Sequence, residues 1–397
     1  MKWSSGVSES PSLETAFEEC YAKIKSELDG DPNLVMAFAG VDFANSYSTI
    51  PRLVSKKFPT ATFIGCSGNG IIGDGREIEN RPGFSLTAAS LPAVKITPFH
   101  VTDEDLPDGD DPPHKWEEIL GVKSSDRPEF IILADPFSMR SQNLVKGLDY
   151  AFPGSTIIGG IASGGRQPEE KPLFFEKKDT LNGVVGVALS GNIQIDTIVA
   201  QGCKPIGELM RITRCRRNIL EEINGQRPFD ALGEIYMNLP EEDQKLFQHS
   251  LFLGVVMDPF NEDPAMGDFL IRNVLGADQE KGVVAIGELL QEGQIVQFHL
   301  RDSRTSADNL NDMLNSYPNE ISEDGGAGAL LFSCLGRGSY LYEKPDHDTD
   351  LFREKIGNIP LTGFFCNGEI GPVGGTTHIH GYTSAFGVIK SRPNYDG

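Results

Sequence analysis

One phrase of this chain occurs twice. "FPTATFIGCSGNG" at 58–70 returns as "FPGSTIIGGIASGG" at 152–165. Each copy runs from Phe-Pro through an apolar, β-branched stretch into a glycine-rich loop. Each also follows an apolar run and a segment with helical spacing. Short runs rich in Ile, Val, Phe and Thr that close on Gly and Asn read as strands. Strands alternating with helices bury their apolar faces by forming a sheet flanked by those helices. The doubled β-α-β-loop-β unit over 34–202 is therefore the strongest constraint on the fold.

Other elements fall in order around it. Residues 13–28, "LETAFEECYAKIKSEL", carry Leu13, Phe17, Cys20, Ile24 and Leu28 at helical spacing, with Ser12 placed to cap them. Strands are expected at 34–40, 62–67 and 83–90, with a helix over 44–57. The second copy predicts strands at 130–137 and 183–202, the latter turning at Gly191-Asn192, and a helix over 140–151. The acidic segment "DEDLPDGDDPP" (103–113) reads as a solvated connection.

Past "QGCKPIG" (201–207) a helix-richer stretch is expected over 216–249. Strands follow at 251–256, 268–275 and 293–302, then a helix over 305–315 capped by Thr305 or Ser306. Strand into glycine loop occurs four times, at 68–75, 159–165, 336–338 and 368–375. The expected class is mixed α/β (α+β) in two domains, each a sheet flanked by helices. A lead-in and helix occupy 1–33, a first domain 34–203 and a second 204–390.

Charge narrows the function. A formal net charge of −22 over 397 residues argues against nucleic acid and against an anionic membrane surface, since both need a lysine or arginine excess. No apolar run approaches the ~18–20 residues that span a bilayer. The N-terminus "MKWSSGVSESPSLETAF" lacks the apolar core of a secretion signal. Six scattered cysteines without a CxxC pair fit reduced thiols, and a cytoplasmic location is expected.

The glycine loops admit three chemistries. Gly68-Asn69-Gly70-Ile71-Ile72-Gly73 matches G-x-G-x-x-G, but "DGREIENRPGF" after it offers no helix to receive a pyrophosphate. A thiol nucleophile at Cys334 or Cys66 would need a base, and His378 or His380 could supply it, since alternate residues of a strand share a face. The ordinary use of a cysteine closing an apolar strand is as a small buried filler. One H-x-H without a third ligand does not make a metal site. No metal or other cofactor is called for.

The third reading is a binding cleft, because glycine lets backbone N–H groups approach a ligand. Its walls would be Cys66, Ser67, Gly68 and Gly70, then Ser163, Gly164 and Gly165, then Cys334 to Gly338, then Asn367 and Glu369. Arg337 would grip a ligand carboxylate with its fork, and Glu369 would pair with it or meet an amine. Two further clusters read as structural. "RITRCRRN" (211–218) answers acidic neighbours, and "PDHDTDLF" (345–352) supplies an acidic first turn to the helix that follows.

At these residues the chain resembles the FIST family of paired N- and C-terminal domains. "KWSSGVSES", "IGCSGNGIIG" and "VVGVALSG…QGCKPIG" look like the N-terminal pattern. "ALLFSCLGRG" and "TGFFCNGEIGPVGG…THIHGYTSAF" look like the C-terminal one. The resemblance spans roughly residues 3–390 and implies intracellular small-ligand sensing, with amino acids or related metabolites as ligands. Such domains occur alone, beside bacterial signalling modules, or behind an F-box in ubiquitin-ligase substrate receptors. With a dozen residues before the first helix, an F-box of ~40–50 residues is not expected here. The expected function is a stand-alone sensor that binds an amino acid or small carboxylate and signals to a protein partner. The alternatives are a cysteine-dependent hydrolase or transferase and a protein-interaction scaffold.

Overall fold

The computed structural model describes residues 1–138, 141–164, 167, 173–318, 326–393 and 395. The chain forms two compact units. The first comprises Met1–Val199, Met313–Ile379 and Thr383–Gly397; the second comprises Ala200–Asp312 and His380–Tyr382.

The first unit uses one motif three times. Repeat one is β1 (Lys2–Ser8), α1 (Leu13–Glu27), β2 (Leu34–Gly40), a 3-10 turn leading into α2 (Ile50–Lys57), β3 (Thr62–Gly68), the hairpin β4 (Gly70–Gly73) and β5 (Arg76–Glu79), and β6 (Phe84–Ser90). Repeat two is β7 (Val94–Val101), α3 (His114–Leu120), β8 (Glu129–Ala134), α4 (Ser141–Ala151), β9 (Ile157–Ile161), the hairpin β10 (Leu173–Phe175) and β11 (Lys178–Leu181), and β12 (Val184–Gly191).

Repeat three opens with β13 (Gln194–Ala200). The chain then builds the second unit from β14 (Cys203–Arg216), β15 (Ile219–Ile223), α5 (Pro228–Asn238), α6 (Glu241–Phe247), β16 (Leu251–Val256), β17 (Phe269–Asp278), β18 (Val283–Ile286) and β19 (Ile295–Arg301). Repeat three resumes with α7 (Ser303–Ser316), β20 (Gly328–Cys334), α8 (Ser339–Tyr342), α9 (His347–Ile356), β21 (Leu361–Cys366), the hairpin β22 (Gly368–Val373) and β23 (Thr376–His380), and β24 (Ser384–Lys390).

No repeat completes its own sheet. The six-stranded orders are β1-β6-β2-β3-β10-β11, β7-β12-β8-β9-β22-β23 and β13-β24-β20-β21-β4-β5. Each repeat gives its hairpin to a neighbour, so one's goes to three, two's to one and three's to two. The donated hairpin covers what would be an open strand edge. The pairs β2/β3, β8/β9 and β20/β21 are parallel and in equivalent register. A Cβ on Gly65, Gly159 or Gly363 would lie 2.2, 1.9 or 1.8 Å from the carbonyl oxygen of Ala37, Ile132 or Leu331. Glycine at these three matching positions lets the parallel strands close up.

The inner sheet faces share one core, in which Phe38, Cys66, Ile131, Ile158, Phe332 and Phe364 pack together. Helices α1 and α2 cover the outer face of the first sheet, and α3 and α4 that of the second. In the second unit the strands close as β14-β15-β18-β17-β16-β19 around Leu253, Val284, Ile286, Val296 and Phe298.

The mixed α/β class and the division in two hold, with three differences from the sequence reading. The doubled unit is a tripled one. Of the residues expected in the second domain, those from 313 to 379 and from 383 to 390 group with 1–199, because β21 takes β4 of repeat one as its neighbour. The helix-richer stretch starts at Pro228 rather than 216. Met210 and Ile212 alternate with exposed Arg211 and Thr213, a strand pattern that the basic cluster obscures.

Candidate functional site

The register identifies equivalent positions where the three glycine loops meet. Ser67, Ile161 and Phe365 pair with Ala39, Ala134 and Ser333. Two residues further on stand Asn69, Ser163 and Asn367, followed by Gly70, Gly164 and Gly368. Backbone bonds link the loops. Ser163 N–H donates to the Ser67 carbonyl at 3.4 Å, and Asn367 N–H to that of Ile161 at 3.0 Å. The remaining link passes through a side chain: Asn69 N–H donates to Ser163 Oγ at 2.9 Å, and that hydroxyl donates to the Phe365 carbonyl. Asn367 Nδ2 adds a bond to the Ala162 carbonyl at 2.8 Å.

The junction is tight within and open at its rim. A Cβ on Gly164 would lie 2.5 Å from that of Ser67. Ser67 is fully buried, and its Oγ has no hydrogen-bond partner among the described residues. Asn69 and Asn367 are exposed. The structure thus brings Cys66, Ser67, Gly68, Gly70, Ser163, Gly164 and Asn367 together, while Gly165 lies outside the described residues. Gly70–Gly73 continues as β4, so no helix follows the G-x-G-x-x-G match. Burial pushes the thiols of Cys66 and Cys366 well above the ordinary cysteine range, which suits core packing rather than a thiolate nucleophile.

Arg337 belongs to a second cluster. It is fully buried, and its Nε and Nη2 donate to Asp348 Oδ2 and Oδ1 at 2.8 and 3.3 Å. Nη2 also reaches the Tyr342 hydroxyl. His347 Nδ1 lies 2.9 Å from Asp348 Oδ1, and Ser384 Oγ donates to Oδ2. Burial works to raise the Asp348 carboxyl, but the Arg337 charge and these hydrogen bonds hold it well below the usual carboxylate range.

Glu77, on the hairpin donated by repeat one, is 2% exposed and accepts from Thr349 N–H at 2.9 Å. Burial, and then the Asp348 charge, raise its pKa from 4.5 to about 8. Ser339 N–H donates to Glu79 at 2.9 Å, and Glu77 N–H to Asp346 at 2.6 Å. Hence the carboxylate that Arg337 was expected to meet on a ligand comes from its own chain, and only Nη1 lacks a partner among the described residues. "PDHDTDLF" gives α9 its acidic first turn, as expected, with Asp348 and Asp350, and Asp348 is buried there against Arg337.

The other expected residues are placed as follows. Glu369 is buried and accepts from Thr383 N–H at 3.2 Å. Cys334, half-buried, ends β20, and its sulfur accepts from Gly336 N–H at 3.4 Å. His378 is half-buried and His380 buried on β23. No group of three His, Cys, Asp or Glu among the described residues could hold a metal ion. The basic cluster meets acids: Arg214 lies 3.4 and 3.3 Å from Glu221 and Glu222, and Arg216 3.4 Å from Glu221. The missed feature is Asn69, and with it the third copy of the loop. G-x-x-x-[NS]-G at 65–70, 159–164 and 363–368 is the signal that marks it.

Comparison with known proteins defines the class. The FIST N domain matches residues 33–226 and the FIST C domain residues 228–372. The chain therefore belongs to the FIST family. Uncharacterized protein Rv0628c of Mycobacterium tuberculosis is 33% identical over 388 residues, 97% of this chain and 98% of that one. Uncharacterized protein Mb0898c of Mycobacterium bovis is 31% identical over 387 residues, 97% of each. F-box/LRR-repeat protein At5g63520 of Arabidopsis thaliana is 24% identical over 283 residues, 62% of this chain and 52% of its own length. A cyanuric acid hydrolase structure from A. caulinodans covers 98% of this chain and 100% of its own, at TM-score 0.36 and 10% identity, too slight a likeness to carry an argument. No helix among the described residues is long and apolar enough to cross a membrane.

Proposed function

We propose that this chain is a small-ligand sensory protein whose ligand, a polar metabolite of amino-acid or small-carboxylate size, docks on the rim of the three-loop junction. The observation that carries the reading is the ring itself: three loops from three repeats, joined by hydrogen bonds, with exposed Asn69 and Asn367 beside Ser163. Membership of the FIST family supports the sensory part. The exposed Asn69 and Asn367 carboxamides offer donors and acceptors without net charge. They would grip the ligand's polar groups in place of Arg337, which Asp348 occupies. A ligand touching loops from different repeats signals if it binds two arrangements of them unequally, and a protein partner would read that difference.

A thermal-shift screen against amino acids, small carboxylates, carboxamides and nucleotides tests this. A ligand at ~100 times its Kd adds about 2.7 kcal/mol of apparent stability. The expected result is a hit confined to one metabolite class, weakened at least tenfold in N69A/N367A. A flat screen, or a hit that the double variant binds as tightly, overturns the reading.

A further inference from the structure

The second unit holds a buried cation that no acid among the described residues answers. Arg301, the last residue of β19, is 7% exposed. Its Nε and Nη2 have no hydrogen-bond partner, and no carboxylate pairs with it among the described residues. These two nitrogens form one edge of the guanidinium, the edge by which Arg337 grips Asp348 at 2.8 and 3.3 Å. At Arg301 the same edge is empty. Acids abound in a chain of net charge −22, yet none among the described residues is paired with it. Asp302, next in the chain, has its two oxygens engaged by Thr305, whose N–H donates at 2.8 Å and whose hydroxyl donates at 2.9 Å.

What surrounds Arg301 orients it without neutralising it. Its Cζ lies 5.0 Å from the centroid of the Tyr382 ring, which packs on Phe252 at 4.3 Å and donates its hydroxyl to Asn273. An aromatic face supports a guanidinium from one side and leaves the in-plane N–H groups aimed outward. Arg301 pairs with Cys203 across the ladder. Two residues before Cys203, Gln201 is 3% exposed, and its Nε2 also lacks a partner. Burying a charge without a counter-charge is costly, and burying donors without acceptors adds to that cost.

We infer that Arg301, with Gln201, forms an anion-binding site of the second unit, taking an oxyanion that presents two oxygens in one plane, a carboxylate or a phosphate. Such a group fits the Nε–Nη2 edge in a bidentate fashion, and Gln201 Nε2 supplies a further donor. Arg301 and Gln201 both belong to the second unit, and neither is part of the three-loop junction.

Titration of the full chain with sodium phosphate and with sodium succinate, at ionic strength held constant with sodium chloride, tests it by melting temperature. The wild type and Asn69→Ala should show the same saturable rise with at least one anion. A response to phosphate alone assigns the site to phosphates, and one to succinate alone assigns it to carboxylates. Arg301→Met, which keeps the apolar stem, should need at least tenfold more anion, and should melt no lower than wild type in chloride alone. Gln201→Leu should weaken the response roughly three- to tenfold, and serves should Arg301→Met fail to fold. No saturable rise in the wild type, or a rise that Arg301→Met retains, overturns the inference.

Discussion

Ser163→Ala removes one oxygen atom and with it two links of the junction. The Phe365 carbonyl loses its donor in a buried setting, which costs about 1–3 kcal/mol, and the Asn69 N–H loses a bond worth about 0.5–1.5 kcal/mol. Together the loss is about 1.5–4.5 kcal/mol. No volume is added, so overpacking cannot contribute. At roughly 2 °C per kcal/mol for a unit of this size, the melting temperature should fall by about 3–9 °C. Urea unfolding followed by far-UV circular dichroism should show a lower midpoint with the slope unchanged. A variant within 0.5 kcal/mol of wild type would refute the argument that this hydroxyl closes the ring.

Other consequences are as specific. Arg337→Met and Asp348→Asn should each destabilise by about 3–5 kcal/mol, since each strands a buried charge, and the double variant should recover much of that in a urea double-mutant cycle. Glu77 is raised in the folded state, so below pH 4.5 it contributes no pH dependence. Between pH 4.5 and about 8 the unfolded chain ionises while the folded one keeps its proton, and stability falls as pH rises. Glu77→Gln should therefore gain on wild type by up to about 1.4 kcal/mol per pH unit across that window, and a constant difference would contradict it. Iodoacetamide should spare Cys20, Cys66 and Cys366 in the native protein and modify them after unfolding, as read by peptide mass spectrometry, because all three are buried.

Much of this was legible in the sequence. The two phrases at 58–70 and 152–165 share Phe-Pro, the strand and the loop. The third copy shares only Gly363, Asn367 and Gly368 with the pattern, and its repeat is split by the second unit between β13 and α7. Hairpin exchange was not legible, because periodicity marks a strand without naming its partner. Ser67, Ser163, Gly164 and Asn367 could be picked out as small polar or bare residues closing apolar runs. Arg337 could be picked out too, but not its neutralisation by Asp348, eleven residues on in a helix. Arg301 ends "GQIVQFHLRD" like any surface charge closing a strand, and only its burial gives it away.

The central claim is that a ligand seats where three repeats meet. Hydrogen–deuterium exchange of the protein with and without the metabolite found by thermal shift tests it most directly. Protection should rise together in peptides covering 65–70, 159–164 and 363–368, with Asn69 and Asn367 slowed most. Protection confined to one of these loops, or found only elsewhere in the chain, would contradict the account.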